Sequence, residues 1–203
     1  PTPSVFDLYR MNFGKKVALY HDGQTACEDL VVCSLTDKQQ MQVACTLNSE
    51  AYINKNGIKQ FLDTLSYPMY FLDFETEQPV IPKYKGTRPY QQVPFQYSLH
   101  IIEHENGPLL HTEFLGDSVA DPRRALAEQL CRDIPMNVCV LAYNKAFECT
   151  RLREMAEAFP ELSTHLLNIK DNIKDLLNPF QHGHYYLPAM GGSFSIKVVL
   201  PAL

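Results

Sequence analysis

The chain has 203 residues, and 45% of them are hydrophobic, which suits one domain of ordinary size with an appendage and a sizeable core. Its net charge of −5 argues against a general polyanion-binding surface, but it leaves open a local basic channel around an acidic centre. No apolar run reaches the roughly 18 residues that a membrane helix needs, so we predict no membrane association.

The cysteines and the chain ends indicate the cellular setting. None of the six cysteines forms a Cys-x-x-Cys pair, which predicts reduced thiols and a cytoplasmic location. His182 and His184 have no partner at a zinc-ligand spacing, so their segment is predicted to be a polar loop. The chain begins without a secretory signal and ends on the apolar run 200–203, so we expect part of a longer multidomain protein.

Residues 1–66 are predicted to form a helical N-terminal segment. Thr36 followed by Gln39 has the spacing of a capping box, which marks a helix start. A second helix is predicted from apolar residues at i, i+3, i+4 and i+7, namely Ile58, Phe61, Leu62 and Leu65. Nothing in this segment indicates chemistry.

The stretch 69–76 is a short apolar run that ends on acids, which favours a buried strand. Because side chains two apart share a face of a strand, Asp73 and Glu75 are expected to project side by side. Two adjacent carboxylates suit a cation such as Mg²⁺ or Mn²⁺. The alternative is that the strand simply emerges into solvent there and both acids are hydrated.

The segment 82–92 is predicted to be a substrate-binding loop. Cations neutralise phosphates and tyrosine rings stack on unpaired bases. The residues of both kinds are Lys83, Tyr84, Lys85, Arg88 and Tyr90. A solvated hairpin loop is the alternative.

The following elements predict an α/β arrangement with a mixed sheet. Residues 95–103 and 110–115 indicate an antiparallel hairpin, and Asp121-Pro122 marks a helix start. The apolar run 138–143 is typical of a buried parallel strand, and a helix follows from about residue 148.

Three acids are expected to meet at one edge of this sheet. In open α/β sheets, sites form at the carboxyl ends of the parallel strands. Asp73, Glu75 and Glu148 all lie at or just beyond such ends. The convergence of three acids indicates a functional site more specifically than any one of these acids does alone.

Two strings of residues resemble motifs of a known enzyme family. Residues 72–76, Leu-Asp-Phe-Glu-Thr, resemble the first motif of the DEDD (DnaQ-like) 3′–5′ exonucleases. Residues 142–148, Ala-Tyr-Asn-Lys-Ala-Phe-Glu, resemble their second motif, Asn-x-x-Phe-Asp, with Glu148 in place of the Asp. The chain is more closely similar to an uncharacterised bacterial family, a domain of unknown function, whose strings occur here at 71–76, 86–92 and 142–148.

The resemblance implies a ribonuclease H-like domain over 67–203, with a mixed five-stranded sheet flanked by helices. It also implies hydrolysis of single-stranded DNA or RNA by two Mg²⁺ or Mn²⁺ ions, about 4 Å apart, that activate water and stabilise the leaving oxygen. Asp73 and Glu148 would hold the ions, with Glu75 assisting. The candidate substrate-binding residues are Thr76, Tyr84, Arg88, Tyr90 and Asn144.

The exonuclease family also has a third motif, Tyr or His followed by an Asp four or five residues later. Neither Asp171 nor Asp175 has this spacing, so the resemblance implies that the motif lies beyond Leu203 and that the site is incomplete within this chain. Two alternatives stay open: a non-catalytic nucleic-acid-binding or scaffolding domain that retains the fold, and a metal-dependent hydrolase of another substrate.

Overall fold

The computed structural model describes residues 3–117 and 119–203, which belong to two compact units. The first, here called the terminal unit, combines residues 1–62 with 177–203, and the second, the central unit, is Asp63–Leu176. In chain order the helices are α1 (Phe13–His21), α2 (Asp37–Asn48), α3 (Lys55–Leu62), α4 (Arg123–Asp133), α5 (Ala146–Ala158), α6 (Ser163–Asp171), α7 (Asn178–Gln181) and α8 (Ile196–Ala202). The strands are β1 (Tyr52–Ile53), β2 (Met69–Glu77), β3 (Val93–Ile102), β4 (Leu110–Leu115), β5 (Cys139–Ala142), β6 (Ile173–Asp175) and β7 (Tyr185–Tyr186).

The terminal unit is mainly helical. The capping box at Thr36 is confirmed, because Gln39 Oε1 accepts the backbone N–H of Thr36 at 3.0 Å. The predicted amphipathic helix is confirmed as α3, but it ends at Leu62 and does not reach Leu65. The short strand β1, which pairs antiparallel with β7, lies in the segment predicted to be helical. An aromatic residue followed by a β-branched one favours this extended pairing.

The central unit contains a mixed five-stranded sheet in the order β4-β3-β2-β5-β6. Strands β2, β3 and β4 are antiparallel neighbours, whereas β2, β5 and β6 are parallel. The α/β class, the mixed sheet and the flanking helices predicted from the sequence are therefore confirmed. The predicted hairpin is confirmed as β3 and β4.

Alternation along β2 separates the core from the acids. Tyr70, Leu72 and Phe74 are buried, whereas Asp73 and Glu75 on the other side are exposed. The core beneath the buried side takes its other members from strands β3, β5 and β6 and from helices α4, α5 and α6. The acids therefore project from a strand that is anchored by its apolar side chains.

The start of α4 differs from the prediction by one residue. Pro122 is the N-cap and the helix begins at Arg123, whose backbone N–H donates to Asp121 Oδ1 at 3.1 Å. The acid still satisfies the first turn, although it stands one place further from the helix than expected. Leu126 and Leu130, four residues apart on one face of this helix, are fully buried.

Strand β5 is buried along its whole length, as expected for a continuous apolar run with parallel neighbours on both sides. The six cysteines are all free thiols. Among the residues that the structure describes, none of the helices combines the length and apolar character needed to cross a membrane.

Candidate active site

The carboxyl ends of the three parallel strands form the acidic edge of the sheet. The register pairs Phe71 with Leu141 and Ala142 with Asp175 across these strands. Asp73 lies two residues beyond the first pair, and Asp175 is itself the last residue of β6. Since α5 starts four residues after β5 ends, its first turn also lies at this edge. Strand direction and register therefore bring acids that are distant in sequence to one place.

Glu148 is the buried acid of this edge. It lies in the first turn of α5 and is only 3% exposed. Its Oε2 atom is buried and has no hydrogen-bond partner within the described part of the chain. A buried carboxylate oxygen without a partner is costly unless a proton or a cation compensates it. Glu148 is therefore the side chain whose environment most needs a further group.

The pKa of Glu148 is raised to about 7, chiefly because burial removes water from the carboxylate. The negative charges of Asp73 and Asp175 raise this pKa further, whereas the residue's own backbone N–H and the Arg151 cation lower it. Asp73 is therefore within electrostatic range of Glu148, as the convergence of the two motifs predicted.

Asp73 and Glu75 hold different positions relative to Glu148. Desolvation raises the pKa of Asp73, although the residue is exposed overall. Glu75 projects from the same side of β2, two residues closer to the end of the strand, and is exposed. The acidic charges that raise the pKa of Glu148 are those of Asp73 and Asp175. Asp73 and Glu148 form the centre of the site, and Glu75 lies at its rim.

Asp175 joins this edge, which the sequence analysis did not anticipate. Its Oδ1 accepts the backbone N–H of Asn144 at 2.8 Å, and its Oδ2 accepts that of Lys145 at 3.2 Å. Asn144 has φ of +63°, a left-handed conformation that Asn tolerates better than most residues. Asp175 therefore holds the turn that leads from β5 into α5. An Asp at the end of the next parallel strand was the available signal.

Arg151 was also missed. This buried residue follows Glu148 by three positions, on the same side of α5. Its guanidinium donates to Glu154 at 3.0 Å and to the side chain of Gln92, and it lies 5.1 Å from the ring centroid of Phe147. Arg151 therefore connects the helix that carries Glu148 to the end of the 82–92 loop. An Arg in an amphipathic helix gives no sequence signal of such burial.

The 82–92 loop is held by hydrogen bonds but keeps exposed side chains. The Tyr90 backbone N–H donates to Pro79 at 3.0 Å, and Gln78 Nε2 donates to the Tyr90 carbonyl at 2.8 Å. The side chains of Arg88 and Tyr90 are exposed, and the Tyr90 side chain is 61% accessible. The loop thus offers a cation and an aromatic ring to solvent.

Tyr84 is partly buried at the base of this loop. Desolvation and the nearby Glu77 carboxylate raise the pKa of Tyr84, and Glu77 also forms an ion pair with Lys83. Tyr84 and Phe95 line a cavity of about 350 Å³ at this end of the sheet. Lys83 is therefore neutralised by Glu77, whereas Tyr84 borders a space large enough for a small ring system.

Thr76 and Asn144 lie close in sequence to the central acids. Thr76 is half-buried at the β-bulge of β2, and Asn144 is exposed at the turn before α5. The left-handed conformation of the turn explains why an Asn occupies position 144. A role in substrate binding remains a prediction for both residues.

The donors at the acidic edge are carboxylate oxygens. Within residues 3–117 and 119–203, no group of three or more His, Cys, Asp or Glu side chains has the arrangement of a metal site. The unpartnered Oε2 of Glu148 and the carboxylate of the neighbouring Asp73 are nevertheless two hard oxygen donors of the kind that Mg²⁺ and Mn²⁺ prefer. The chemistry of these donors fits a divalent cation, but two carboxylates are fewer ligands than a complete coordination shell of such an ion requires.

Comparisons with known proteins identify a family but not an activity. Residues 70–195, more than half of the chain, match a family model described as a domain of unknown function, DUF2779. The chain is 27% identical over 173 residues to the protein named "Uncharacterized protein UU173" of Ureaplasma parvum serovar 3 (strain ATCC 700970). This match covers 77% of the chain and 24% of that protein, so the chain spans about a quarter of the length of this relative. No solved structure matches the chain.

Proposed function

The chain belongs to the DUF2779 family of domains of unknown function, and we propose that it hydrolyses single-stranded nucleic acid as a metal-dependent 3′–5′ exonuclease with a ribonuclease H-like fold. One observation carries the proposal: Glu148 is buried at the carboxyl edge of parallel strands, beside Asp73, with one carboxylate oxygen unpartnered. A cation between these acids would compensate their repulsion and the burial of Glu148.

In this proposal Asp73 and Glu148 hold Mg²⁺ or Mn²⁺, and Glu75 assists from the rim. When bound, two such ions stabilise the charge that develops on the phosphate and make a water molecule more acidic. By its resemblance to the exonucleases, the third acidic motif is expected beyond Leu203. The full-length protein is therefore the form to assay.

Residues around the site hold the Glu148 carboxylate in position. Asp175 fixes the turn before α5, and Arg151 holds that helix against Gln92, so the Glu148 carboxylate stays at the acidic edge. The backbone and side chain of Glu148 are therefore in position before substrate binds, which lowers the entropic cost of reaching the reactive arrangement.

The 82–92 loop is proposed to grip the substrate strand. Arg88 neutralises a phosphate, and the exposed ring of Tyr90 stacks on an unpaired base. Tyr84 stacks a second base at the mouth of the 350 Å³ cavity. Thr76 and Asn144 donate hydrogen bonds to the sugar–phosphate backbone.

A second function is favoured by one specific observation. Within the described residues, no group of three such acids has the arrangement of a metal site, and the longer Glu stands where the second exonuclease motif has Asp. A non-catalytic domain that binds or scaffolds single-stranded nucleic acid would retain the loop and the sheet without cleaving. Binding without cleavage by the full-length protein would select this function.

The proposal is tested with DNA and RNA oligonucleotides labelled at either end, in Mn²⁺ or Mg²⁺, with a chelator as control. We expect stepwise shortening from the 3′ end by the full-length protein, and loss of activity in Asp73→Asn and Glu148→Gln. Glu157→Gln is the matched control because this exposed acid lies on the same helix as Glu148. Equal cleavage by wild type and Asp73→Asn would refute the assignment.

A further inference from the structure

A pair of histidines lies on the hairpin formed by β3 and β4, outside the strands that carry the acids. His100 and His111 are directly opposite each other in the antiparallel register, and their ring centroids are 4.5 Å apart. Directly opposed residues of neighbouring strands project to the same face. His111 is exposed and His100 is half-buried, so the pair is accessible from solvent.

A neighbouring hydroxyl orients one of the two rings. Ser98 Oγ lies 3.1 Å from Nε2 of His111. In the tautomer in which Nε2–H donates to this hydroxyl, Nδ1 of His111 carries the free lone pair. Metal-binding histidines characteristically donate their other ring N–H to an oxygen, which fixes the ring and its tautomer. Ser98 is placed to do this for His111.

We propose that His100 and His111 form a two-imidazole site for a divalent transition-metal ion such as Zn²⁺, Ni²⁺ or Cu²⁺. Neutral imidazole suits these ions, whereas Mg²⁺ and Mn²⁺ prefer carboxylate oxygens. No third His, Cys, Asp or Glu joins the pair in a metal-site arrangement within the described residues, so water completes the coordination. This proposal does not rest on the proposed nuclease chemistry.

Such an ion would connect the edge strand to the rest of the sheet. Strand β4 is at one end of the sheet, with β3 as its only strand neighbour in the order observed. A metal bound across β3 and β4 favours the paired state because the unfolded chain does not hold the two imidazoles together. Binding is therefore expected to raise the unfolding temperature as well as to produce heat.

The test is calorimetric titration of the whole chain, first stripped with a chelator, with NiCl₂ or ZnCl₂. We expect one equivalent to bind, and His100→Ala or His111→Ala to weaken binding by at least about tenfold, because each removes one of two ligands. Ser98→Ala should weaken it less. Excess Mg²⁺ should not displace the ion.

Two control variants distinguish this site from other histidines. His104 is exposed in the turn that connects the two strands, and His182 belongs to a second pair whose rings are 6.0 Å from each other. His104→Ala and His182→Ala should bind as the wild type does. Loss of binding in His182→Ala with retention in His100→Ala would overturn the proposal, and so would equal affinity in wild type and the His100→Ala/His111→Ala double variant. Circular dichroism of each variant confirms that the hairpin is folded.

Discussion

Asp175 accepts the backbone N–H of Asn144 at 2.8 Å, while Asn144 itself is in the left-handed conformation at φ +63°. These residues are on different strand ends, yet together they define the turn that leads into the helix carrying Glu148. The position of the buried acid therefore depends on a hydrogen bond between two polar groups that do not belong to the acidic pair.

The conformation of Asn144 predicts a graded effect of substitution. Asn144→Gly should leave the free energy of unfolding nearly unchanged, because Gly adopts positive φ without a steric penalty. Asn144→Val should lower it by about 1–2 kcal/mol, since a side chain with a branched Cβ is disfavoured there. Urea denaturation monitored by circular dichroism measures both. Equal midpoints for the Gly and Val variants would show that the turn does not require this conformation.

The raised pKa of Glu148 predicts that its contribution to the free energy of unfolding falls as the pH rises. Its pKa of about 7 in the folded protein lies above the ordinary value of 4.5, so the unfolded chain loses this proton first. The stabilisation by the protonated form is therefore complete below the unfolded pKa and is lost between that value and about 7. Glu148→Gln does not titrate, so its free energy of unfolding should rise relative to that of wild type by on the order of 3 kcal/mol between about pH 4 and about pH 8.

The measurement is the free energy of unfolding from urea titrations at both pH values. Glu157→Gln serves as control because Glu157 is exposed on the same helix and should shift both values equally. Parallel pH profiles for wild type and Glu148→Gln would contradict the raised pKa of Glu148.

Asp73 predicts a change in the ionisation of Glu148. Because the Asp73 charge raises the pKa of Glu148, Asp73→Asn should lower that pKa. Glu75→Gln should lower it less, since Glu75 lies at the rim of the site. Carbon-13 NMR of the Glu148 carboxyl group across a pH series measures these values. An unchanged titration midpoint in Asp73→Asn would show that the two acids do not interact.

Arg151 predicts both a structural and an electrostatic effect. Arg151→Met removes the hydrogen bond to Gln92 and the ion pair with Glu154, and should lower the free energy of unfolding by about 2 kcal/mol. It should also raise the pKa of Glu148, because the Arg151 cation lowers that pKa. Arg151→Lys should leave the pKa of Glu148 close to its wild-type value, because the positive charge remains. It should still lower the free energy of unfolding, because the planar fork of donors is lost.

These two effects are separated by measuring unfolding and the Glu148 titration on the same samples. If Arg151→Met changes stability while the Glu148 titration stays at its wild-type midpoint, the cation acts only as a structural connection.

The amino-acid sequence by itself determined the local elements of the central unit. Short apolar runs identified β2 and β5, and the turn between residues 103 and 110 identified the β3–β4 hairpin. Such features follow from periodicity and turn chemistry, which act over a few neighbouring residues. The expectation that Asp73 and Glu148 approach each other followed from one rule about the ends of parallel strands, and their electrostatic coupling agrees with it.

Only the tertiary structure decided how deeply each polar side chain is buried and what it contacts. Asp175, Arg151 and the His100–His111 pair take their partners from segments that the chain places side by side through strand register and helix packing. The three acids could not be ranked by burial from the sequence. In the structure Glu148 is enclosed, whereas Asp73 and Glu75 face solvent. Burial and register depend on contacts between residues far apart in the chain, and no local pattern encodes them.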